Sequence, residues 1–579
     1  MKRFRLTSSL TTIPAMMLAF LLLNGTPVFA DGETDALQEE INALQLKVKE
    51  LDKRVNKTEL HTATDKISFG LELRSRVDSI HYEDIRVAPA WLMNGFFTPQ
   101  PGMTVDQMNG MTPESVLAMM SMMPPGSTLE DMIGMSGFNG ATKAYIQAMM
   151  AGITTAGAVP EAEAYDADND FMFTNRLRME MKGKISSNLS FGGRLAMYKV
   201  YGDSSGIKFN TGSFNDIYLD GNTTSVPHGD TLHVERIFFH YKTGTDQVPI
   251  NISFGRRPAT DGPPLEFRNY GMEGGSPMAP IINWQFDGAS MSFGLEEVTH
   301  IPGASFKLCY GVGFESDWGN SSSLTSGQHI DDATFGGFIA TLYDDELTSV
   351  EMNYAHAWDL TDGFTGLMLM PFIPFVEDDG TYSFTKNKGG FISRMEATEN
   401  IGNFDMLTIV MRTNLMMILA DIDVFLAVSM SHTDPRNVSQ NPFYNLMGMG
   451  LLSSNGDLED QDGYSLYTGA VFPMPFKARL GVEYNKGSKY WINMTGAEDS
   501  LVGSKLAARG SVVETYYIQP LVNKNFFLTL GGVFYDYAYT GSGNPLGAPV
   551  KISDLKAFDA FFPVADKVWD VYLSATLRY

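Results

Sequence analysis

Residues 569–579 read WDVYLSATLRY, and their side chains alternate strictly between apolar and polar. Successive side chains of a strand point to opposite faces, so this segment has one apolar face and one polar face. The apolar face consists of Trp569, Val571, Leu573, Ala575, Leu577 and Tyr579. The sequence ends there, and a strand left uncovered in this way needs an apolar solvent such as a lipid bilayer. The segment therefore predicts a membrane-spanning strand.

The beginning of the sequence predicts export. Three of the first five residues are basic, an apolar run covers residues 13–23, and Val28-Phe29-Ala30 follows. This order is typical of a secretory signal peptide, so we expect residues 1–30 to be removed by cleavage. The apolar run is far shorter than the about 20 residues that a transmembrane helix needs.

Composition and short motifs exclude several function classes. The formal net charge of −25 argues against nucleic acid and anionic lipid surfaces as partners. The single cysteine, Cys309, excludes an internal disulfide, a CxxCH haem site and a four-cysteine metal site. The nine histidines form no HExxH motif, so no zinc enzyme is indicated. We therefore expect a protein that is not an enzyme and that holds no metal or cofactor.

Residues 31–66 differ from the rest of the chain because their apolar residues recur with heptad spacing. The seam consists of Leu37, Ile41, Leu44, Val48, Leu51 and Val55. An amphipathic helix without a neighbour in sequence has little else to cover its apolar stripe. We therefore expect a periplasmic coiled coil that drives homo-oligomerisation. Its core residues favour a dimer, but the seam is too short to decide between a dimer and a trimer.

Strand-like segments of about ten residues recur from Ile67 to the end of the chain, and sixteen of them alternate in polarity. Their connections alternate between short and long, which is the asymmetry expected of outer-membrane barrels. Gly389–Glu399 is interpreted as a loop, and the count becomes eighteen if it forms a strand. The fold class predicted for residues 67–579 is an all-β, transmembrane antiparallel β-barrel of about 16 strands in the bacterial outer membrane.

The connection after the first strand, predicted as an insert over residues 81–170, is rich in methionine. Pro113–Met123 and Ser127–Met135 have the pattern of short helices, with Thr112, Ser127 and Thr128 as candidate N-caps. Methionine fills irregular apolar gaps, so we expect a partly helical insert that plugs or narrows the barrel. Thioethers also bind Cu(I), but 35 methionines across the chain indicate general usage.

The alternation also predicts which residues face the inside of the barrel. Where the outward positions of a strand hold Phe, Leu or Met, the positions between them often hold basic residues. The basic residues predicted to line the pore are Arg74, Arg76, Arg176, Arg178, Arg194, Arg236, Arg257, Lys477 and Arg479. Charged rings select ions in pores, so this wall would favour anionic solutes. The alternative is that these arginines are solvated lumen residues paired with Glu72, Glu180 and each other.

The decapeptide GRRPATDGPP, Gly255–Pro264, ends the fifth predicted strand. Pro258 and the DGPP sequence interrupt strand pairing, which favours a structural turn over a loop that folds into the pore. With this decapeptide, the signal sequence, the heptad seam and the strand pattern, the chain resembles an uncharacterised family of porins from anaerobic and sulfur-metabolising bacteria. The resemblance implies an outer-membrane barrel and does not indicate the solute.

We therefore expect a porin, embedded in membrane lipid, that passes small hydrophilic and anionic solutes. Some porins of the resembled family are similar to the sleeves that surround haem electron conduits. A barrel that houses a periplasmic or cytochrome partner is therefore the alternative function.

Overall fold

The structure, a computed structural model, describes residues 47–48, 67–92, 105–128, 143–202, 232–257, 280–283, 286–316, 330–362, 366–368, 372–376, 382–386, 393–395, 397–440, 457–495, 500–543, 547–561 and 563–579. The chain divides into two compact units, Met1–Lys66 and Ile67–Tyr579. The predicted signal peptide lies outside the described residues. So does the predicted coiled coil, apart from Lys47 and the exposed Val48, which are helical.

Sixteen strands form a closed barrel in which strands adjacent in the barrel pair in an antiparallel sense. The strands are β1 Ile67–Val87, β2 Glu163–Lys184, β3 Leu189–Val200, β4 Leu232–Gly244, β5 Pro249–Arg257, β6 Phe286–Gly294, β7 Ser305–Phe314, β8 Ala333–Asp344, β9 Thr348–Thr361, β10 Asn400–Asn414, β11 Asp423–Pro435, β12 Gln461–Pro473, β13 Arg479–Gly487, β14 Gly510–Val522, β15 Phe526–Tyr537 and β16 Lys567–Arg578. Leu71 and Tyr579 exchange two backbone hydrogen bonds of 2.9 Å where β1 and β16 close the barrel. The predicted fold class and the count of sixteen are confirmed.

Exposure along β16 shows which face of the wall points outward. Val571 and Leu573 are 45% and 47% exposed, whereas Tyr572 and Ser574 are 4% and 6% exposed. Apolar side chains outside and polar side chains inside are the reverse of a soluble protein and are characteristic of a transmembrane barrel. The alternation of residues 569–579 therefore matches the outer and inner faces of the barrel wall.

The first two strands are longer than the sequence pattern indicates. β1 continues to Val87 and pairs there with Glu163 of β2, with register shifts after Asp78 and Tyr82. Such bulges absorb extra residues and allow pairing to continue where the simple alternation is lost. The insert between these strands is therefore shorter than the predicted 81–170.

Short segments that are not strands of the barrel sheet form three two-stranded sheets among the described residues. Ser393–Met395, within the segment that could have raised the strand count to eighteen, pairs with Gly366–Met368 and not with the barrel. Phe372–Val376 pairs with Tyr382–Lys386. The third sheet joins Ile282–Asn283 and Met494–Thr495.

Four helices are described: α1 Val105–Asn109, α2 Pro113–Met122, α3 Lys143–Thr155 and α4 Glu296–Thr299. Among the described residues, no helix has the length and apolar content needed to cross a membrane. Thr112 is the N-cap of α2, as the sequence predicted. Its hydroxyl accepts a hydrogen bond from the Ser115 backbone N–H. Ser127 caps no helix among the described residues, and most of the second predicted helix lies outside them.

The described helices of the insert pack on the last long connection of the barrel. Gly152 of α3 allows α2 to approach closely, because an added Cβ would lie 2.5 Å from the Val116 Cβ. The apolar cluster around these helices includes Ile146 and Met149 of α3, and it extends to Phe561, shortly before β16. Methionine therefore serves here as apolar packing.

Candidate functional site

The inward face of six neighbouring strands, β16 and β1 to β5, carries interleaved arginines and carboxylates. We define the inner charge cluster as Arg74, Arg76, Arg176, Arg178, Arg194, Arg236, Arg257, Arg578, Glu72, Asp78, Glu180, Glu235 and Asp570. Antiparallel register aligns its members across strands. Glu72 lies opposite Arg178, and Glu180 lies opposite Arg194. The sequence alternation and the register together bring opposite charges into reach.

Glu72 connects the strands on both sides of the barrel closure. Its carboxylate lies 2.5 Å from Arg176 Nη2 of β2 and 2.8 Å from Arg578 Nε of β16. Arg178 Nη1 is 3.9 Å away. The Glu72 side chain is only 3% exposed, so these contacts compensate for the loss of its hydration.

Glu235 is the second shared carboxylate, and the sequence prediction did not include it. Arg194 Nη2 donates to Glu235 Oε1 at 2.7 Å. Arg178 Nε lies 3.1 Å from Glu235 Oε2 as an ion pair without hydrogen-bond geometry. Arg194 also pairs with Glu180 at 3.2 Å. Two arginines from β2 and β3 thus share one carboxylate from β4.

A β-bulge brings Glu235 inside. Arg194 pairs with Arg236, but Leu195 pairs with Val234, so Glu235 is an extra residue in β4. Glu235 and Arg236 are both buried, at 0% and 3% exposure. The sequence does indicate this break in the alternation of β4. The outward apolar positions Val234 and Ile237 are three residues apart, whereas strict alternation would space them by two or four.

Arg76 organises a second group of charges near the closure. It contacts Asp78 at 2.5 Å and Asp570 at 3.0 Å. Its guanidinium lies 4.0 Å from the ring centroid of Tyr572, which is a cation–π distance. The Tyr572 hydroxyl in turn donates to Glu514 of β14 at 2.7 Å.

Three other predicted pore residues, Arg257, Arg479 and Lys477, lie outside the ion pairs described above. Arg257 donates to the Ser290 hydroxyl of β6. Arg479 lies on β13 and is 3.8 Å from Asp423. Lys477 is an exposed residue of the turn before β13 and does not belong to the strand. Its backbone has a φ of 61°, so the strand alternation used to orient its side chain does not apply.

Arg76, Arg176, Arg178 and Arg194 are therefore paired with carboxylates, as in the alternative that the sequence left open. Glu72 and Glu180 are partners, as that alternative proposed, and Glu235, Asp78 and Asp570 are further partners.

The interior beside β8 to β10 is filled by apolar packing. Met494–Thr495, from the connection between β13 and β14, pairs in parallel with Ile282–Asn283, from the connection between β5 and β6. The cluster around this contact includes Trp491 and the inward-facing Phe335 and Phe404. Part of the connection that begins with the GRRPATDGPP decapeptide thus folds inward. Residues 258–279 of that connection lie outside the described residues.

Lys505 attaches the connection between β13 and β14 to the barrel wall. Its ammonium pairs with Glu514 at 2.5 Å and also with Glu483. Its backbone carbonyl accepts from Asn485 Nδ2 at 2.7 Å. The Tyr467 hydroxyl donates to Glu483 at 2.5 Å. The sequence prediction missed this lysine because it follows β13 by almost twenty residues and belongs to no alternating pattern.

Among the described residues, no group of three or more His, Cys, Asp or Glu side chains is arranged to hold a metal ion.

The chain was compared with known families and structures. A family model described as "Protein of unknown function (DUF3373)" matches residues 166–579. No curated protein matches the chain. Among solved structures, OprB of Pseudomonas putida is similar at 9% identity and a TM-score of 0.38, covering 89% of this chain and 94% of that chain.

Two further solved structures are similar to the same degree. One is an anion-selective porin from Comamonas acidovorans, at 9% identity and a TM-score of 0.37, covering 89% of this chain and 99% of that chain. The other is Salmonella typhi OmpF in complex with daunomycin, at 11% identity and a TM-score of 0.36, covering 73% of this chain and 94% of that chain.

Proposed function

The chain belongs to the DUF3373 family of proteins of unknown function, and we propose that it is an outer-membrane porin for small hydrophilic solutes, with a preference for anions. The observation that carries this proposal is the inner charge cluster, on the inner face of a barrel whose outer face is apolar. Charged walls admit hydrated solutes and discriminate between ions, whereas an apolar interior would exclude both.

The preference for anions follows from the balance of the cluster. It holds eight arginines and five carboxylates, which gives the cluster a formal excess of three positive charges. An excess of fixed positive charge raises the local concentration of anions and lowers that of cations. Acidic residues outside the cluster, such as the exposed Asp166, Asp168 and Asp170 of β2, account for part of the negative net charge.

Several connections would narrow the path. The inward segments around Ile282 and Met494 occupy space beside β8 to β10. We propose that the methionine-rich insert adds to this narrowing from the end of the barrel with the long connections. Residues 1–30 would act as the signal peptide, and residues 31–66 as a periplasmic coiled coil that joins copies of the chain.

The proposal is tested with mature protein refolded into planar bilayers. Conductance and reversal potential are measured in a KCl gradient, and we expect stable steps with a reversal potential toward that of chloride. Replacing Arg194 and Arg236 together with Gln removes two positive charges and should shift the reversal potential toward that of potassium.

Arg436→Gln is the matched control, because Arg436 is an exposed residue beyond β11 with only long contacts to Asp359 and Asp434, at 3.8 Å and 3.7 Å. Heat-modifiable migration on gels verifies folding of every variant. A folded wild-type barrel that carries no current would contradict the porin proposal. An unchanged reversal potential in the double variant would contradict anion preference.

A further inference from the structure

We infer that Glu235 sets how strongly the pore prefers anions, by acting as the shared counter-charge of Arg178 and Arg194. The inference rests on the proposed porin function and names the residue that tunes its selectivity. Three features of the structure lead to it: the backbone that positions Glu235, the charge balance around it, and the contrast with Glu72.

The backbone around Glu235 is built to place a carboxylate inside the barrel. The bulge turns two consecutive side chains, Glu235 and Arg236, to the inner face. One residue beyond the bulge, Gly255 of β5 approaches β4 so closely that an added Cβ would lie 2.3 Å from the Ile237 carbonyl oxygen. Gly255 also has a φ of +119°, which other residues rarely adopt. Bulges that re-aim a side chain are typical of functional positions.

The charge balance around Glu235 makes the ion preference of the pore depend on the charge of this residue. Arg178, Arg194 and Glu235 together carry one net positive charge, which becomes two when the carboxylate is neutralised. All three side chains are less than 10% exposed. Charges that are partly shielded from bulk water are screened less by salt, so a change of one unit is felt by ions in the lumen.

Glu72 shares three arginines in a similar way but also contacts both strands that meet at the closure, through Arg176 and Arg578. Neutralising it would perturb barrel closure as well as selectivity. The partners of Glu235 lie on β2 and β3, which are already paired along eleven residue positions from Thr174 to Lys184. Neutralising Glu235 should therefore change ion preference without perturbing barrel closure.

The test measures the chloride-to-potassium permeability ratio of Glu235→Gln in planar bilayers. We expect the ratio to rise about fourfold, because one unit charge across about 10 Å of water raises the local concentration of chloride about twofold and lowers that of potassium about twofold. Glu235→Asp keeps the charge and should stay near the wild-type ratio. The matched control is Asp287→Asn, which removes an equal charge from an arginine pair, Arg256 with Asp287 at 2.9 Å, whose carboxylate is exposed.

A double-variant cycle covers the case in which Glu235→Gln does not fold. Arg194→Gln alone should lower the ratio, and Arg194→Gln with Glu235→Gln should return it to near wild type, because the local net charge is restored. The inference is overturned if folded Glu235→Gln leaves the ratio unchanged, or if the double variant behaves like Arg194→Gln alone. Failure of the wild-type barrel to conduct would instead refute the porin proposal, so the two failures are distinguishable.

Discussion

Phe476 and Lys477 illustrate how single residues carry backbone strain in this barrel. Both have left-handed conformations, with φ of 62° and 61°, in the turn between β12 and β13. Two consecutive left-handed residues match the tight hairpin turn that usually contains Asn-Gly. Residues with a Cβ adopt this region at a cost of roughly 1–2 kcal/mol each. Phe476-Lys477 does not resemble the usual Asn-Gly pair, so the strand was predicted to begin at Phe476 and to include Lys477.

We expect Lys477→Gly to stabilise the barrel by about 1 kcal/mol, because glycine adopts the left-handed conformation without a Cβ clash. The measurement is urea-induced unfolding in lipid vesicles. Ser187→Gly, in the turn between β2 and β3, is the control, because Ser187 is not among the described residues with positive φ. That substitution should give no gain in stability. A loss of stability in Lys477→Gly would show that the lysine side chain stabilises the turn.

At the scale of elements, the connection between β13 and β14 is held inside the barrel by a small number of polar anchors. Lys505 binds two wall carboxylates, and Trp491 Nε1 donates to the Leu506 carbonyl at 2.8 Å. Arg509 is fully buried and donates to the carbonyl oxygens of Trp491 and Thr540, both at 3.0 Å. Burial lowers the pKa of Arg509 to about 9, because its contacts are to neutral carbonyls. The connection is therefore fixed by specific side chains as well as by apolar packing.

We expect Lys505→Gln to loosen this connection, because Glu483 and Glu514 would lose their shared cation. Breaking a buried ion pair by removing one partner typically costs about 3–5 kcal/mol. The measurement is cleavage of folded protein by proteinase K between Trp491 and Arg509, together with single-channel conductance. Cleavage should become faster and conductance larger.

Lys556→Gln provides the matched control for this prediction. Lys556 also pairs with a carboxylate, Glu161, but both side chains are largely exposed. Exposed pairs contribute about 0–1 kcal/mol, so cleavage of the connection should not change. Equal protection of the Lys505 and Lys556 variants would contradict the anchoring role of Lys505.

At the scale of the whole molecule, the barrel has an apolar outer face and a charged inner face. Outward side chains such as Phe69 and Leu530 are more than half exposed, while inward Glu72, Asp570 and Glu514 are nearly inaccessible. Lipid would cover the outer face, and the inner charges compensate one another through ion pairs. Closure between β1 and β16 leaves no unpaired edge, which a barrel in a bilayer requires.

We expect Leu573→Arg to destabilise the barrel in lipid vesicles by about 2–4 kcal/mol, the cost of an arginine on the lipid face near the bilayer midplane. Leu573 lies in the middle of β16 and is 47% exposed. The measurement is the free energy of unfolding from urea titrations in vesicles. Tyr579→Arg, at the end of the strand, should cost only about 0–1 kcal/mol. Equal costs at both positions would contradict a membrane-spanning orientation of β16.

The sequence alone determined the strands, their number and the face that each side chain occupies over most of the barrel. Strand alternation is fixed by local backbone geometry, so a period of two identified β16 and the fifteen strands before it. The same rule predicted seven of the eight arginines of the inner charge cluster and two of their partners, Glu72 and Glu180. It failed at Lys477, which lies in the turn before β13, and it did not identify Glu235, where an extra residue shifts the alternation.

Only the tertiary structure decided which charges pair and which connections fold inward. Glu72 meets Arg578 across more than five hundred residues, and Met494 meets Ile282 from the opposite side of the barrel. Lys505 binds Glu483 and Glu514 although no repeating pattern includes it. These contacts arise when the sheet closes, because closure brings segments that are distant in sequence into one enclosed volume where buried charges and apolar side chains must find partners. Local periodicity carries no information about contacts between residues that are distant in sequence.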